Sequence, residues 1–114
     1  MDRDRRPTAP LRPVEFQILL SLAAGERHGY GMIQDAAGRG EAMDVGTLYR
    51  ALARMVDQGL IATSDRREAP DAGDERRNYY RVLPRGLKVA RAEARRLEAL
   101  AREARSCGLL EEPA

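Results

Sequence analysis

The sequence predicts a mainly α-helical winged helix-turn-helix with a small β-hairpin, followed by a long C-terminal dimerisation helix. Three observations carry that expectation. Two short helical segments are joined by a tight connection, and the second exposes Thr, Tyr and Arg. Two strand-like runs around a loop rich in Pro, Gly and acids follow at once, flanked by arginine pairs. An alanine-rich apolar seam then repeats at alternating steps of three and four residues.

The length and composition bound the answer. A chain of 114 residues is one domain. It holds 18 alanines but only 26 Val, Ile, Leu, Met and Phe, a thin supply for a core, so help from a second subunit is expected. Charged residues make up 33% of the chain, yet the net charge is only +2. The basic side consists of 19 Arg and one Lys. Arginine presents a planar fork of donors suited to phosphate, which fits a nucleic-acid partner; codon usage favouring Arg and Ala fits the same numbers.

Several classes fall away. Cys107, the single cysteine, has no partner for an internal disulfide, and no ligand set for zinc is visible. The longest apolar stretch, Phe16 to Gly25, is too short to span a bilayer, and the charged start leads into no signal-type core. With His28 as the only histidine, hydrolytic and metal chemistry lack their usual parts. A cytoplasmic protein without cofactor, metal or catalytic residues is expected.

Residues 1–10 carry Pro7 and Pro10 and read as a mobile tail. Pro13 suits the first position of a helix, in which Val14, Ile18, Leu19 and Leu22 recur at helical spacing, widened by Phe16, Leu20 and Ala23. Gly25 ends it. A second helix starts near Gly29, takes in Tyr30, Ile33, Ala36 and Ala37, and breaks at Gly38 and Gly40. Asp44 is placed to cap a third, whose inward stripe is Leu48, Leu52, Met55 and Val56. Gly46, Thr47, Arg50, Ala53, Arg54 and Asp57 face outward, with Tyr49 at the boundary and Gly59 as a left-handed stop.

Period 2 then replaces period 3.6. Leu60 to Ser64 and Arg77 to Leu83 read as paired strands. The last helix runs from about Leu87 to Arg105, with Leu87, Ala90, Ala94, Leu97, Ala101 and Ala104 on one seam. The organisation is therefore a tail (1–10), a winged domain (11–84), a dimerisation helix (85–106) and a second tail (107–114).

Four motifs then fall in order: His28-Gly29-Tyr30-Gly31-Met32, Gly46-Thr47-Leu48-Tyr49-Arg50-Ala51-Leu52, Gly59-Leu60-Ile61 and Arg76-Arg77-Asn78-Tyr79-Tyr80-Arg81. Together they resemble the PadR family of bacterial transcriptional regulators, over roughly Leu11 to Arg105. The short single terminal helix is similar to the small members, whose winged domains dimerise through their first and last helices. That resemblance implies a homodimer with Ile18 and Leu22 meeting the seam of Leu87, Ala90, Ala94, Leu97, Ala101 and Ala104. It also implies a double-stranded, pseudo-palindromic DNA operator, repression, and a small aromatic effector. One departure concerns Leu83, which stands where the family usually has a threonine to cap the last helix.

The same resemblance gives Thr47, Tyr49, Arg50 and Arg54 a role on DNA. A recognition helix in the major groove meets base edges with its N-terminal residues, and Arg50 there bridges guanine O6 and N7. In the competing reading Arg50 is a solvated charge and Tyr49 packs on the wing. Tyr30, at the start of the second helix, is implied as a phosphate contact, against a half-buried core role. Arg66, Arg67, Arg76 and Arg77 flank the wing loop, although Asp65, Glu68, Asp71, Asp74 and Glu75 nearly cancel them. His28 reads as a turn residue at a helix entrance rather than a pH sensor. The alanine seam, free of aromatics, argues for a closed interface rather than an aromatic-lined pore. The rival from another class is a winged module that contacts proteins alone.

Overall fold

Pro13 opens the first helix, α1 (Pro13–Ala23), where its missing N–H has no helical partner to lose. The computed structural model describes residues 10–67 and 78–111, apart from the side chains of 65–67. The Arg12 backbone N–H donates to Glu15 Oε1 at 2.8 Å, which fixes the entry to α1. Gly25, at φ 145°, turns the chain out of it. A two-residue strand, β1 (Arg27–His28), follows, and the sequence reading has no counterpart for it.

His28 then caps α2 (Gly29–Gly38): its Nδ1 accepts the Gly31 N–H at 2.8 Å. Its ring also stands edge-on to Tyr79, with centroids 5.2 Å apart. Asp44 caps α3 (Val45–Asp57) as expected, its Oδ2 accepting the Thr47 N–H at 3.0 Å. The inward stripe is Leu48, Ala51, Leu52 and Met55. Val56, read as part of that stripe, is instead 40% exposed. It lies one residue, about 100° of helix rotation, beyond Met55, and Ala51 fills the inward place.

Gly59, at φ 75°, stops α3 and releases β2 (Ile61–Arg67). The return strand, β3 (Asn78–Val82), is central in a three-stranded antiparallel sheet of order β1-β3-β2. Tyr80 faces Thr63 on one side and Arg27 on the other. The register shifts between Thr63 and Arg67, so the wing is irregular along that stretch. The expected hairpin is thus present with a third, short edge strand.

The last helix, α4 (Pro84–Ser106), begins earlier than the seam suggested. Leu83 at its start makes no side-chain cap, in line with the departure noted in the sequence. Backbone contacts stand in: the Leu83 N–H donates to Leu60 O at 3.0 Å, and its carbonyl accepts from Leu87 N at 3.0 Å. Gly86 lies against that same Leu60 carbonyl, and a Cβ there would overlap it.

The core gathers Ile18, Leu19 and Leu22 of α1 with Met32, Leu48, Leu52, Met55 and Ile61, all below 2% or at 2% exposure. Helix α1 touches α2, α3, α4 and β3, so it is the central helix, as its apolar residues on most sides require. In contrast, Gly86 and Glu93 are the buried residues of α4. At 23 residues this helix is about 34 Å long. Its distal half leaves the body of the protomer, and the radius of gyration is 16.0 Å, against about 13 Å for a compact chain of this length.

Candidate nucleic-acid interface

Gly29 lets α3 approach the start of α2, and Gly31 makes room for a side chain of β1. A Cβ on Gly29 would stand 2.5 Å from Tyr49 Oη and 3.0 Å from its Cζ. Tyr49 therefore lies across the start of α2, half-buried, its hydroxyl out of solvent. A Cβ on Gly31 would meet the Arg27 guanidinium at 2.5 Å. That guanidinium makes a two-point contact with Asp35, Nε to Oδ2 at 3.2 Å and Nη2 to Oδ1 at 3.1 Å. Burial pushes the Asp35 carboxyl up, but hydrogen bonds from Arg27 and Ser21 and the charges of Arg27 and Arg39 outweigh it. The carboxyl ends below its usual range. The pair ties β1 to α2, and Arg39 ties α2 to α1 through Gln17 and Ser21.

The outer face of α3 carries Thr47 and Arg50. The Asp44 carboxylate is held below the usual range, first by the Thr47 backbone N–H and further by the Thr47 hydroxyl and the charge of Arg50. Thr47 Oγ1 donates to Asp44 Oδ2 at 3.3 Å and accepts from Arg50 Nη2 at 3.4 Å. Arg50 is exposed and Thr47 partly so. Tyr30, in the first turn of α2, is 52% exposed, which sets aside the half-buried core role.

Other candidates lie elsewhere. Arg54 turns toward α1, with Nη2 3.6 Å from the buried Glu15 carboxylate, so this side chain braces α3 against α1. The side chains of Arg66 and Arg67, and all of Arg76 and Arg77, lie outside the described residues, as do residues 1–9 of the expected tail. An open groove of about 300 Å³ runs between the start of α1 (Pro13, Val14, Gln17) and the stretch from Glu41 to Thr47.

The expected pairing surface is divided in two. Ile18 and Leu22 are 0% and 2% exposed inside the protomer's own core, which leaves them no surface for a second chain. The exposed leucine of α1 is Leu20, at 39%. On α4, Ala94 and Leu97 are exposed and Leu87, Ala90, Ala101 and Ala104 partly so, with Leu100 beside them at 55%. Glu93 is held below the usual carboxylate range by its two-point contact with Arg96, and a backbone N–H of Leu11 adds to this. That contact pins α4 to the start of α1.

Residues 18–92 match the family described as transcriptional regulator PadR-like. The chain belongs to the PadR-like family of transcriptional regulators. Within it, the chain is similar to Transcriptional regulator Rv3488 of Mycobacterium tuberculosis, at 33% identity over 90 residues, covering 79% of this chain and 80% of that protein. Among solved structures, a PadR family regulator from Eggerthella lenta superposes with a TM-score of 0.68 at 26% identity, covering 88% of this chain and 83% of the other. Bacillus subtilis PadR, solved in complex with operator DNA, shares the fold with a TM-score of 0.60 at 21% identity, covering 71% of this chain and 46% of that one.

As a PadR-like winged helix, the chain places His28, Gly29 and Gly31 of its first motif in structural roles. Sequence reading missed the Arg27–Asp35 pair and the work of the two glycines. Glycine twice in one helical turn, where it costs about 1 kcal/mol each relative to alanine, was the available signal. Among the described residues no His, Cys, Asp and Glu cluster could hold a metal, and no helix is long and apolar enough to cross a membrane.

Proposed function

We propose that this PadR-like protein is a homodimeric, sequence-specific DNA-binding repressor. The observation that carries the reading is the outer face of α3, where Thr47 and Arg50 stand clear of the core, with Tyr30 in the first turn of α2 exposed as well. The operator-DNA complex of B. subtilis PadR, which shares this fold, supports it. In this reading Arg50 meets a guanine edge, Thr47 a base or phosphate, and Tyr30 a backbone phosphate. Tyr49 sets the angle between α2 and α3. The wing arginines Arg66, Arg67, Arg76 and Arg77 add backbone contacts.

Dimerisation is supported by the projecting half of α4, where Ala94, Leu97 and Leu100 are exposed and Ala101 and Ala104 partly so. Leu97, Leu100, Ala94, Ala101 and Ala104, with Leu20 of α1, form the pairing face, and small alanines let the helices approach closely. Two-fold pairing sets two recognition helices about one turn of DNA apart, ~34–36 Å. A small aromatic effector belongs to the same proposal; at 100-fold its dissociation constant it would add ~2.7 kcal/mol of stability, which a thermal-shift screen of planar aromatics would read.

Fluorescence anisotropy tests DNA binding, using labelled DNA from upstream of the protein's own gene and a scrambled duplex at 50 and 200 mM salt. Six to ten phosphate contacts predict a loss of about 10³–10⁵ in affinity across that range. Salt-insensitive binding would contradict the reading. No binding at low salt would favour a module that contacts proteins alone.

A further inference from the structure

We propose that Asp44 is a positioning residue for Arg50, so that Asp44, Thr47 and Arg50 read DNA as one unit. The inference rests on the proposal that α3 enters the major groove. Three contacts define the unit. Asp44 Oδ2 accepts the Thr47 N–H at 3.0 Å and the Thr47 hydroxyl proton at 3.3 Å. With its single proton spent on Asp44, Thr47 Oγ1 is left to accept from Arg50 Nη2 at 3.4 Å. Gly46 adds a steric element: a Cβ there would lie 3.2 Å from both Arg50 Nη1 and Asp44 Oδ2. A side chain at position 46 would therefore press on both the guanidinium and the carboxylate. Arg50 thus lies along the first turn of α3 with its guanidinium held near the carboxylate, while the side chain stays exposed.

This arrangement has a consequence that a helix cap alone lacks. An arginine whose fork is held before binding loses less rotamer freedom when it engages guanine O6 and N7. The holding group carries a negative charge, since the Thr47 backbone N–H and the Arg50 charge keep Asp44 ionised. A carboxylate at the DNA-facing end of α3 repels phosphate wherever Arg50 finds no guanine. Asp44 therefore weakens binding to arbitrary sequence and strengthens binding to the right one. Its removal shifts the two affinities in opposite directions.

Asp44→Asn separates the roles, because asparagine caps helices about as well as aspartate and the fold persists. The test compares wild type, Asp44→Asn, Arg50→Ala and the double variant by anisotropy. The DNA is the duplex that the wild type selects from a random-sequence pool, the same duplex with each G·C pair changed in turn, and a scrambled control. Asp44→Asn should bind the control more tightly and the selected duplex more weakly, narrowing their ratio about tenfold, or ~1.4 kcal/mol. The lost discrimination should fall on one G·C pair, the one to which Arg50→Ala is also indifferent, and the double variant should match Arg50→Ala. Gly46→Ala, which presses on the guanidinium and keeps the charge, should lose part of the same discrimination without tighter control binding. Equal tightening on both duplexes by Asp44→Asn, with the ratio unchanged, would reduce Asp44 to a cap and overturn the proposal. A wild type that selects no duplex overturns the DNA-reading role of α3 itself, which is a distinct result.

Discussion

Replacing Gly86 with alanine sets two physical effects of opposite sign against each other. Gly86 is the third residue of α4, where helix propensity alone favours alanine by ~0.5–1 kcal/mol. The packing says otherwise. An added Cβ would overlap the Leu60 carbonyl oxygen, with Val82 Cγ2 at 2.9 Å and the Leu60 carbonyl carbon at 3.1 Å. The obstacle is backbone, and the Leu60 carbonyl is itself fixed by the Leu83 N–H at 3.0 Å. Relief requires the start of α4 to lift off β2. Overpacking costs ~1–3 kcal/mol, and a clash with fixed backbone falls in the upper part of that range, ~2–3 kcal/mol, so the net expectation after the propensity gain is destabilisation by about 1–2.5 kcal/mol. For a domain near this size each kcal/mol lowers Tm by ~4–8 °C. Urea unfolding followed by far-UV circular dichroism would measure it, at one fixed protomer concentration because the proposed pairing would add concentration-dependent stability. A Gly86→Ala protein as stable as the wild type, or more so, would refute the packing argument.

Gly29→Ala should also destabilise, by ~1–3 kcal/mol, because its Cβ meets the Tyr49 ring; Tyr49→Phe, which deletes the atom at 2.5 Å but not the one at 3.0 Å, should rescue it in part. Failure of the phenylalanine to rescue in a denaturation series would show that the Tyr49 hydroxyl is not the obstacle. Leu100→Asp, on the 55% exposed face of α4, should shift sedimentation toward monomer with little change in protomer helicity; an unaltered dimer would move the pairing face elsewhere. Acid should destabilise the fold in a definite window. Asp35 and Glu93 are held below their ordinary values of 3.8 and 4.5, so the stability they contribute is complete above those values. It is lost as pH falls through them and below. Glu93→Gln should flatten that loss in a pH series of unfolding midpoints, and an unchanged acid limb would remove Glu93 from the account.

The parts of the fold legible in the sequence were those written in local chemistry. Asp44 and Gly59 bracket α3 because a cap and a left-handed stop each act within a few residues. The spacing of Leu48, Leu52 and Met55 fixed its buried face. Strand β1 was not legible: two residues carry no period, and Arg27 and His28 become a strand only by pairing with Tyr80 and Tyr79 across the chain. Similarly, spacing made Ile18 and Leu22 apolar-face residues but did not say which surface they would meet. The protomer's own core claims them. Arg54 read as outward on the helical wheel, yet the buried Glu15 of α1 draws it back. In the first turns of α2 and α3, Gly29, Gly31 and Gly46 each make room for a side chain from elsewhere or further along. Those partners are visible only in three dimensions.

The central claim is that a pair of these chains presents two copies of α3 to DNA. Hydroxyl-radical footprinting of the selected duplex tests it most directly. The account predicts two protected patches related by a two-fold axis, centred ~34–36 Å apart or a multiple of it, and both lost together in Arg50→Ala. A single unsymmetrical patch, or even protection along the whole fragment, would contradict it.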